Sequence, residues 1–160
     1  MRVLLRAPLL SLSGYGGHAR QIFEWLESYP NIELTTEVVQ WGMTTWLVDS
    51  TTPIVQRIMN KSVQKEGVYD LSVQVQLPDE WDPNIAKRNI GISAFVETDR
   101  CSRQWIEKCN EMDLIVVPST FTKNVAIRSG NLTTPIVVVP EWYSPEIEKV
   151  KKKNPFPMKL

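Results

Sequence analysis

Hydrophobic and polar positions follow two alternating patterns along this chain. Short apolar or strictly alternating runs, which are typical of strands, occur at residues 2–7, 32–41, 69–77, 90–96, 114–117 and 135–139. Between them, apolar residues at helical spacing predict helices over residues 17–28, 53–65 and 102–112, and a fourth that Ser119 caps and that runs to residue 128. The order of elements therefore alternates between strand and helix.

Strands that are separated by helices of this length predict an α/β fold. We expect a doubly wound, mostly parallel, Rossmann-like sheet with right-handed crossovers. A chain of 160 residues fits one such domain. We assign it to residues 1–140, and we interpret residues 141–160, which contain three prolines, as an exit segment or linker toward a second domain.

The charge balance and the cysteine content exclude several classes of function. Eighteen basic and eighteen acidic residues give no net charge, so no nucleic-acid or membrane partner is indicated. The two cysteines are too few for a disulfide framework and have no partner at metal-ligand spacing. The first apolar run is too short for a signal peptide. We therefore predict a cytoplasmic protein without a metal cofactor.

A glycine-rich loop follows the first predicted strand and leads into the first predicted helix. It contains Gly14, Gly16 and Gly17, followed by His18, the only histidine of the chain. Unpaired amides at a helix N-terminus are suited to phosphates. The loop matches the dinucleotide pattern G-x-G-x-x-A in form. However, Gly14 lies seven residues beyond Ala7, and no acidic residue ends the second strand, so we rank nicotinamide binding low.

A second polar cluster, Glu97-Thr98-Asp99-Arg100, follows the fourth predicted strand. Ligands of doubly wound sheets gather at the switch point, which we place between the first and fourth strands. His18 and Asp99 would then form a catalytic pair, in which the carboxylate makes the imidazole a stronger base. Alternatively, Asp99 or Ser102 caps the next helix. Glu141, after the last strand, also borders the expected crevice.

The chain has six tryptophans, four of which bear on the site. Trp25 and Trp105 lie on predicted helical faces and are expected to be core or half-buried. Trp81 and Trp142 lie in loops beside acidic residues, where a ring could stack on a sugar. Loop tryptophans more often anchor the loop to the body of the domain, and we favour that interpretation.

Most of the chain resembles the N-terminal half of glycosyltransferase family 4, within the GT-B fold. The likeness is carried by residues 6–8, 13–20, 73–78, 91–100, 105–107, 112–113, 116–122 and 137–140. Its most specific parts are a strand that ends in Val-Pro-Ser119 before a helix and a last strand that ends in Val139-Pro140.

The resemblance implies transfer of a sugar from a nucleotide-sugar donor to a hydroxyl acceptor, without a metal. Gly16 and Gly17 would face the donor phosphates. His18 and Asp99 would handle the acceptor proton, and the remaining binding residues would be Gly14, Arg20, Glu97, Thr98, Arg100, Ser119 and Glu141. The nucleotide would bind a second Rossmann domain, in cis or in trans.

Family members commonly carry a histidine after the fourth strand. Here His18 follows the first strand instead, closer to the arrangement of inverting plant-type enzymes. The sequence therefore leaves both a retaining and an inverting outcome open. A non-catalytic carbohydrate- or partner-binding module derived from such a domain is the alternative function.

Overall fold

The computed structural model describes residues 1–62, 67–143 and 145–150. In these ranges the chain forms one sheet, whose strands are β1 (Arg2–Ala7), β2 (Glu33–Val38), β3 (Leu71–Val75), β4 (Asn89–Ile92), β5 (Leu114–Val117) and β6 (Ile136–Val138). Every neighbouring pair is parallel, and the order is β2-β1-β3-β4-β5-β6. The predicted doubly wound α/β fold is confirmed.

In the described ranges four α-helices connect strands, and there are two 3₁₀ turns, Pro78–Glu80 between β3 and β4 and Pro145–Lys149 after β6. The helices are α1 (Gly14–Glu27), α2 (Pro53–Asn60), α3 (Arg103–Cys109) and α4 (Thr120–Ser129). None of the helices in the described ranges is long and apolar enough to cross a membrane. The helix predicted over residues 53–65 ends at Asn60, and residues 63–66 lie outside the described part. So do residues 151–160 of the predicted exit segment.

Helix α1 begins three residues earlier than the sequence pattern predicts. The Ser13 side chain caps it by accepting a hydrogen bond of 3.1 Å from the Gly16 amide. This cap satisfies one of the amides that a helix leaves unpaired at its start. The sequence pattern predicts a loop at the three glycines, whereas in the structure they lie in the first turn of the helix.

Two apolar clusters stabilise the sheet from its two faces. Ala19, Phe23 and Leu26 of α1 pack on the side of Val3 and Leu5. On the opposite face, Ile115 and Val117 of β5 pack with residues of α3 and α4, among them Ile106, Cys109 and Ala126. Full burial of one such large apolar side chain stabilises the fold by about 1.5–3 kcal/mol.

The expected adjacency of the first and fourth strands is wrong. Strand β3 lies between them, because Val3–Arg6 of β1 pair directly with Leu71–Gln74 of β3. The reason is that Val73 and Val75 belong to the same apolar cluster as the α1-facing residues of β1. The switch point therefore lies between β1 and β3, and β4 is two strands away, about 10 Å at the usual spacing.

Three tryptophans test the predictions made for them. Trp81 is buried, and its ring covers Gly91, where an added Cβ would lie 2.6 Å from the ring, so the anchoring role is confirmed. Trp105 is half-buried against Phe95, as predicted. Trp25 is 49% exposed, so it is not a core residue but is about half-buried, the second of the two predicted outcomes. It lies beside the buried stripe of α1 and packs edge-on against Tyr29.

Candidate functional site

His18 lies in the second turn of α1, close to the carboxyl edge of the sheet. The first turn is held against the loop after β1, because Gly16 is buried so close to the Ser11 carbonyl that a Cβ there would overlap it. Arg20 ties down the same loop by donating hydrogen bonds to the carbonyl oxygens of Leu9 and Ser11, at 3.0 and 2.8 Å. The position of His18 is thus fixed from both sides.

Glu141 is the carboxylate that faces His18. Its Oε1 atom lies 3.7 Å from Nδ1 of the imidazole, and the Glu141 side chain is half exposed. Nδ1 is buried and has no hydrogen-bond partner among the described residues. Burial lowers the pKa of His18 below its ordinary value of 6.5, and the Glu141 charge partly opposes this shift. The imidazole is therefore neutral at pH 7 and able to accept a proton.

Tyr15 and Ser93 add two hydroxyl groups to a small pocket that His18 and Glu141 also line, and the rest of its lining is mostly apolar. The Tyr15 hydroxyl lies 3.0 Å from Ser93 Oγ and accepts a hydrogen bond of 2.9 Å from the Ala94 amide. Burial raises the pKa of Tyr15, which keeps the phenol protonated. The pocket has a volume of about 20 Å³, enough for one water molecule.

The cluster after β4 does not join this pocket. Glu97, Thr98, Asp99 and Arg100 are all exposed, and the Thr98 hydroxyl donates to the Arg100 carbonyl oxygen at 2.7 Å. Among the described residues it is Glu141, not Asp99, that is paired with His18. The segment after β4 reaches the pocket only at Ser93 and Ala94, which contact the Tyr15 hydroxyl, whereas residues 97–100 lie farther along the chain and are exposed.

The other residues predicted for the site occupy helix starts. Gly14 is exposed at the first position of α1, whereas the Gly16 and Gly17 amides are both bonded to Ser13. In the described chain, the α1 amides without such a bond at this end are those of Gly14 and Tyr15. Ser119 caps α4 as predicted, accepting from the Thr122 amide at 3.1 Å.

Sequence reasoning missed the parts played by Tyr15 and Ser93. Tyr15 stacks on Trp41 with ring centroids 4.1 Å apart, a contact between two distant segments. Ser93 directly follows β4, whereas the sequence pattern predicts a longer strand that includes it. An aromatic residue placed between glycines at a helix start was the available signal for Tyr15.

A larger apolar cleft adjoins the pocket and shares His18 with it. It has a volume of about 330 Å³ and runs between α1 and the sheet. A cavity of about 560 Å³ lies elsewhere, beside β2, and its lining includes Ser62, next to the undescribed residues 63–66. The pocket is lined by both His18 and Glu141, the cleft is lined by His18, and the cavity beside β2 is lined by neither.

The described residues contain no group of three histidine, cysteine or acidic side chains arranged to hold a metal ion. A comparison with models of known protein families finds no match, and no curated protein is significantly similar in sequence.

Proposed function

We propose that this chain is the acceptor-side domain of a GT-B glycosyltransferase, which transfers a sugar from a nucleotide-sugar donor to a hydroxyl. The observation that carries the proposal is the pairing of His18 with Glu141 on a Rossmann-like sheet. Ligands of doubly wound sheets bind beyond the carboxyl ends of the strands. The resemblance to glycosyltransferase family 4 supplies the reaction class.

In this proposal His18 is the general base, and Glu141 takes the role first expected of Asp99. Glu141 faces Nδ1, so it stabilises the imidazolium and leaves Nε2 for the substrate. The acceptor oxygen forms a bond to the anomeric carbon while the bond from that carbon to the nucleoside diphosphate breaks. The hydroxyl proton passes to His18, and the leaving group takes the bonding electrons.

Donor phosphates would contact the start of α1. Because Ser13 already occupies the Gly16 and Gly17 amides, the contact falls to the amides of Gly14 and Tyr15. Gly17 has open space at its Cα, which allows a ligand to approach the backbone closely. The nucleotide itself would be held by a second Rossmann domain, in cis or in trans, and no metal is required.

One observation favours the alternative, a binding module without catalysis. Trp25 and Trp142 are about half exposed and both line the apolar cleft. Exposed aromatic side chains around a cleft suit recognition of a glycan or another ligand as well as they suit an acceptor site. This function predicts carbohydrate binding without turnover of any nucleotide sugar.

The test is nucleotide release from a panel of nucleotide sugars by the complete native protein, with acceptor present. We expect His18→Ala to lower kcat by roughly 10²–10⁴-fold, the usual contribution of a general base. Gln104→Ala, an exposed change on α3, is the control and should leave kcat unchanged. Unchanged turnover in His18→Ala would overturn the assignment of His18 as the general base. Absence of turnover in the wild-type protein with every nucleotide sugar of the panel would favour the binding module.

A further inference from the structure

The apolar cleft lies where no helix of the described part of the chain covers the sheet. Register pairs Ile90 with Leu114 and Ile92 with Val116, and these residues point away from Ile115 and Val117, which α3 and α4 cover. Parallel sheets normally carry helices on both faces. On this face of the described chain α1 and α2 cover β1 and β2, whereas Val137 and Val139 near the opposite edge are 39% and 54% exposed.

The cleft has a polar end and an apolar body. Ile22, Trp25, Ile92, Val116, Val139 and Trp142 line the body. His18 lines both the cleft and the small pocket, and Gln21 beside it donates a hydrogen bond to the Trp142 carbonyl oxygen at 3.2 Å. A ligand that reaches His18 through the cleft is therefore expected to carry a hydrogen-bonding head, such as a hydroxyl, and an apolar body.

We propose that the cleft binds an amphiphilic alcohol, with its hydroxyl head at His18 and its apolar body on the open sheet. This inference rests on the proposed function, because it names the acceptor class of the same site. A volume of about 330 Å³ lies at the lower end of the roughly 300–1,000 Å³ range of small-molecule sites. That size corresponds to a short alkyl chain or an aromatic group.

A covering polypeptide helix fits the cleft less well than such an alcohol does. Glu141 faces Nδ1 of the imidazole, so an apolar helix over the cleft would bury the Nε2 atom without giving it a hydrogen bond. An unpaired buried polar group is costly, whereas a hydroxyl offers hydrogen bonds. No acidic, lysine or arginine side chain among the described residues lines the cleft to pair with a charged peptide.

The single histidine makes the test direct, because its imidazole gives one set of NMR signals. We would titrate the protein with n-octyl β-D-glucoside below its micelle concentration, with phenyl β-D-glucoside, and with methyl β-D-glucoside as the headgroup control. We expect saturable shifts of the His18 signals with the octyl or the phenyl compound, and at least tenfold weaker binding of the methyl compound. If the octyl compound binds more tightly, the apolar part of the ligand is an alkyl chain, and if the phenyl compound binds more tightly, it is an aromatic group.

Two cleft variants and one control locate the binding. Val116→Glu and Trp142→Ala should each weaken binding at least tenfold, and Trp142 is exposed enough for its change to leave the core intact. Val48→Glu, at a residue that is 84% exposed away from the cleft, should have no effect. Absence of octyl and phenyl binding, or equal binding by all variants, overturns the proposal. Binding without sugar transfer in the complete protein would keep the amphiphile site and reject the transferase.

Discussion

The carboxylate of Glu141 faces the imidazole of His18 at 3.7 Å, across the carboxyl edge of the sheet. One residue lies near the start of the first helix and the other follows the last strand, so folding alone brings them together. The distance is too long for a hydrogen bond, and the contact becomes a charge pair only when His18 is protonated. A small rotation of the half-exposed Glu141 side chain would close it when His18 takes up a proton.

The first prediction concerns the titration of His18. Burial holds its pKa below 6.5 and Glu141 raises it, so Glu141→Gln should lower the pKa further. Tyr15 is the other titratable group lining the pocket, and it stays neutral in this range. NMR titration of the imidazole measures the pKa. Glu107→Gln, exposed on α3, is the matched control, and a pKa that does not change in Glu141→Gln would contradict the pairing.

The lowered pKa of His18 also makes the free energy of unfolding depend on pH. The unfolded chain binds a proton near pH 6.5, whereas folded His18 binds it at lower pH. The contribution of His18 is therefore fully present above pH 6.5 and is lost as the pH falls toward the folded pKa. In His18→Gln this part of the pH dependence of the unfolding free energy should vanish.

Gly16 and Gly17 should respond oppositely to alanine. In Gly16→Ala the new Cβ would overlap the Ser11 carbonyl, so we expect the free energy of unfolding to fall by about 1–3 kcal/mol. In Gly17→Ala the Cβ meets open space within a helix, which should stabilise the fold by about 0.5–1 kcal/mol. Urea unfolding measures both, and equal effects of the two changes would contradict the close contact of α1 with its loop.

Removal of the Tyr15 hydroxyl should loosen the pocket. Tyr15→Phe removes the hydrogen bond from the Ala94 amide and the contact with Ser93, so we expect the free energy of unfolding to fall by about 1–2 kcal/mol. Tyr29→Phe, at a half-exposed residue on the surface, should change stability by less than about 0.5 kcal/mol. If thermal unfolding shows the same small change for both variants, the hydroxyl does not hold the pocket together.

The two free thiols should differ in reactivity. Burial raises the pKa of Cys109 to about 12, whereas Cys101 is partly exposed. A thiolate is the reactive form, so iodoacetamide at pH 8 should modify Cys101 alone in the folded protein and Cys109 only after unfolding. Mass spectrometry of peptides locates the label, and Cys101→Ser should abolish labelling of the native state. Rapid labelling of Cys109 in the folded protein would contradict its burial in the apolar cluster between the sheet, α3 and α4.

The apolar patterns alone predict the elements of this fold, because each strand and helix has its own period. The order of the strands could not be predicted, because β3 and β4 are both apolar and either could pair with β1. The choice depends on how Val73 and Val75 pack with Val3 and Leu5 in three dimensions.

Part of the candidate site could also be predicted from local sequence patterns. The sequence pattern singled out His18 and noted Glu141 at the border of the crevice, because helix starts and strand ends are visible in it. It assigned the carboxylate partner to Asp99, since that assignment followed from the assumed strand order. Which acidic residue faces an imidazole depends on tertiary distances, and local spacing carries no such distances.

The most direct test of the central claim compares two midpoints. One is the pKa of the His18 imidazole in the complete protein by NMR, and the other is the acid limb of kcat/KM for sugar transfer. If His18 is the general base, the two midpoints coincide in the wild type and move to lower pH together in Glu141→Gln. An acid limb that stays in place while the imidazole pKa moves would contradict the account.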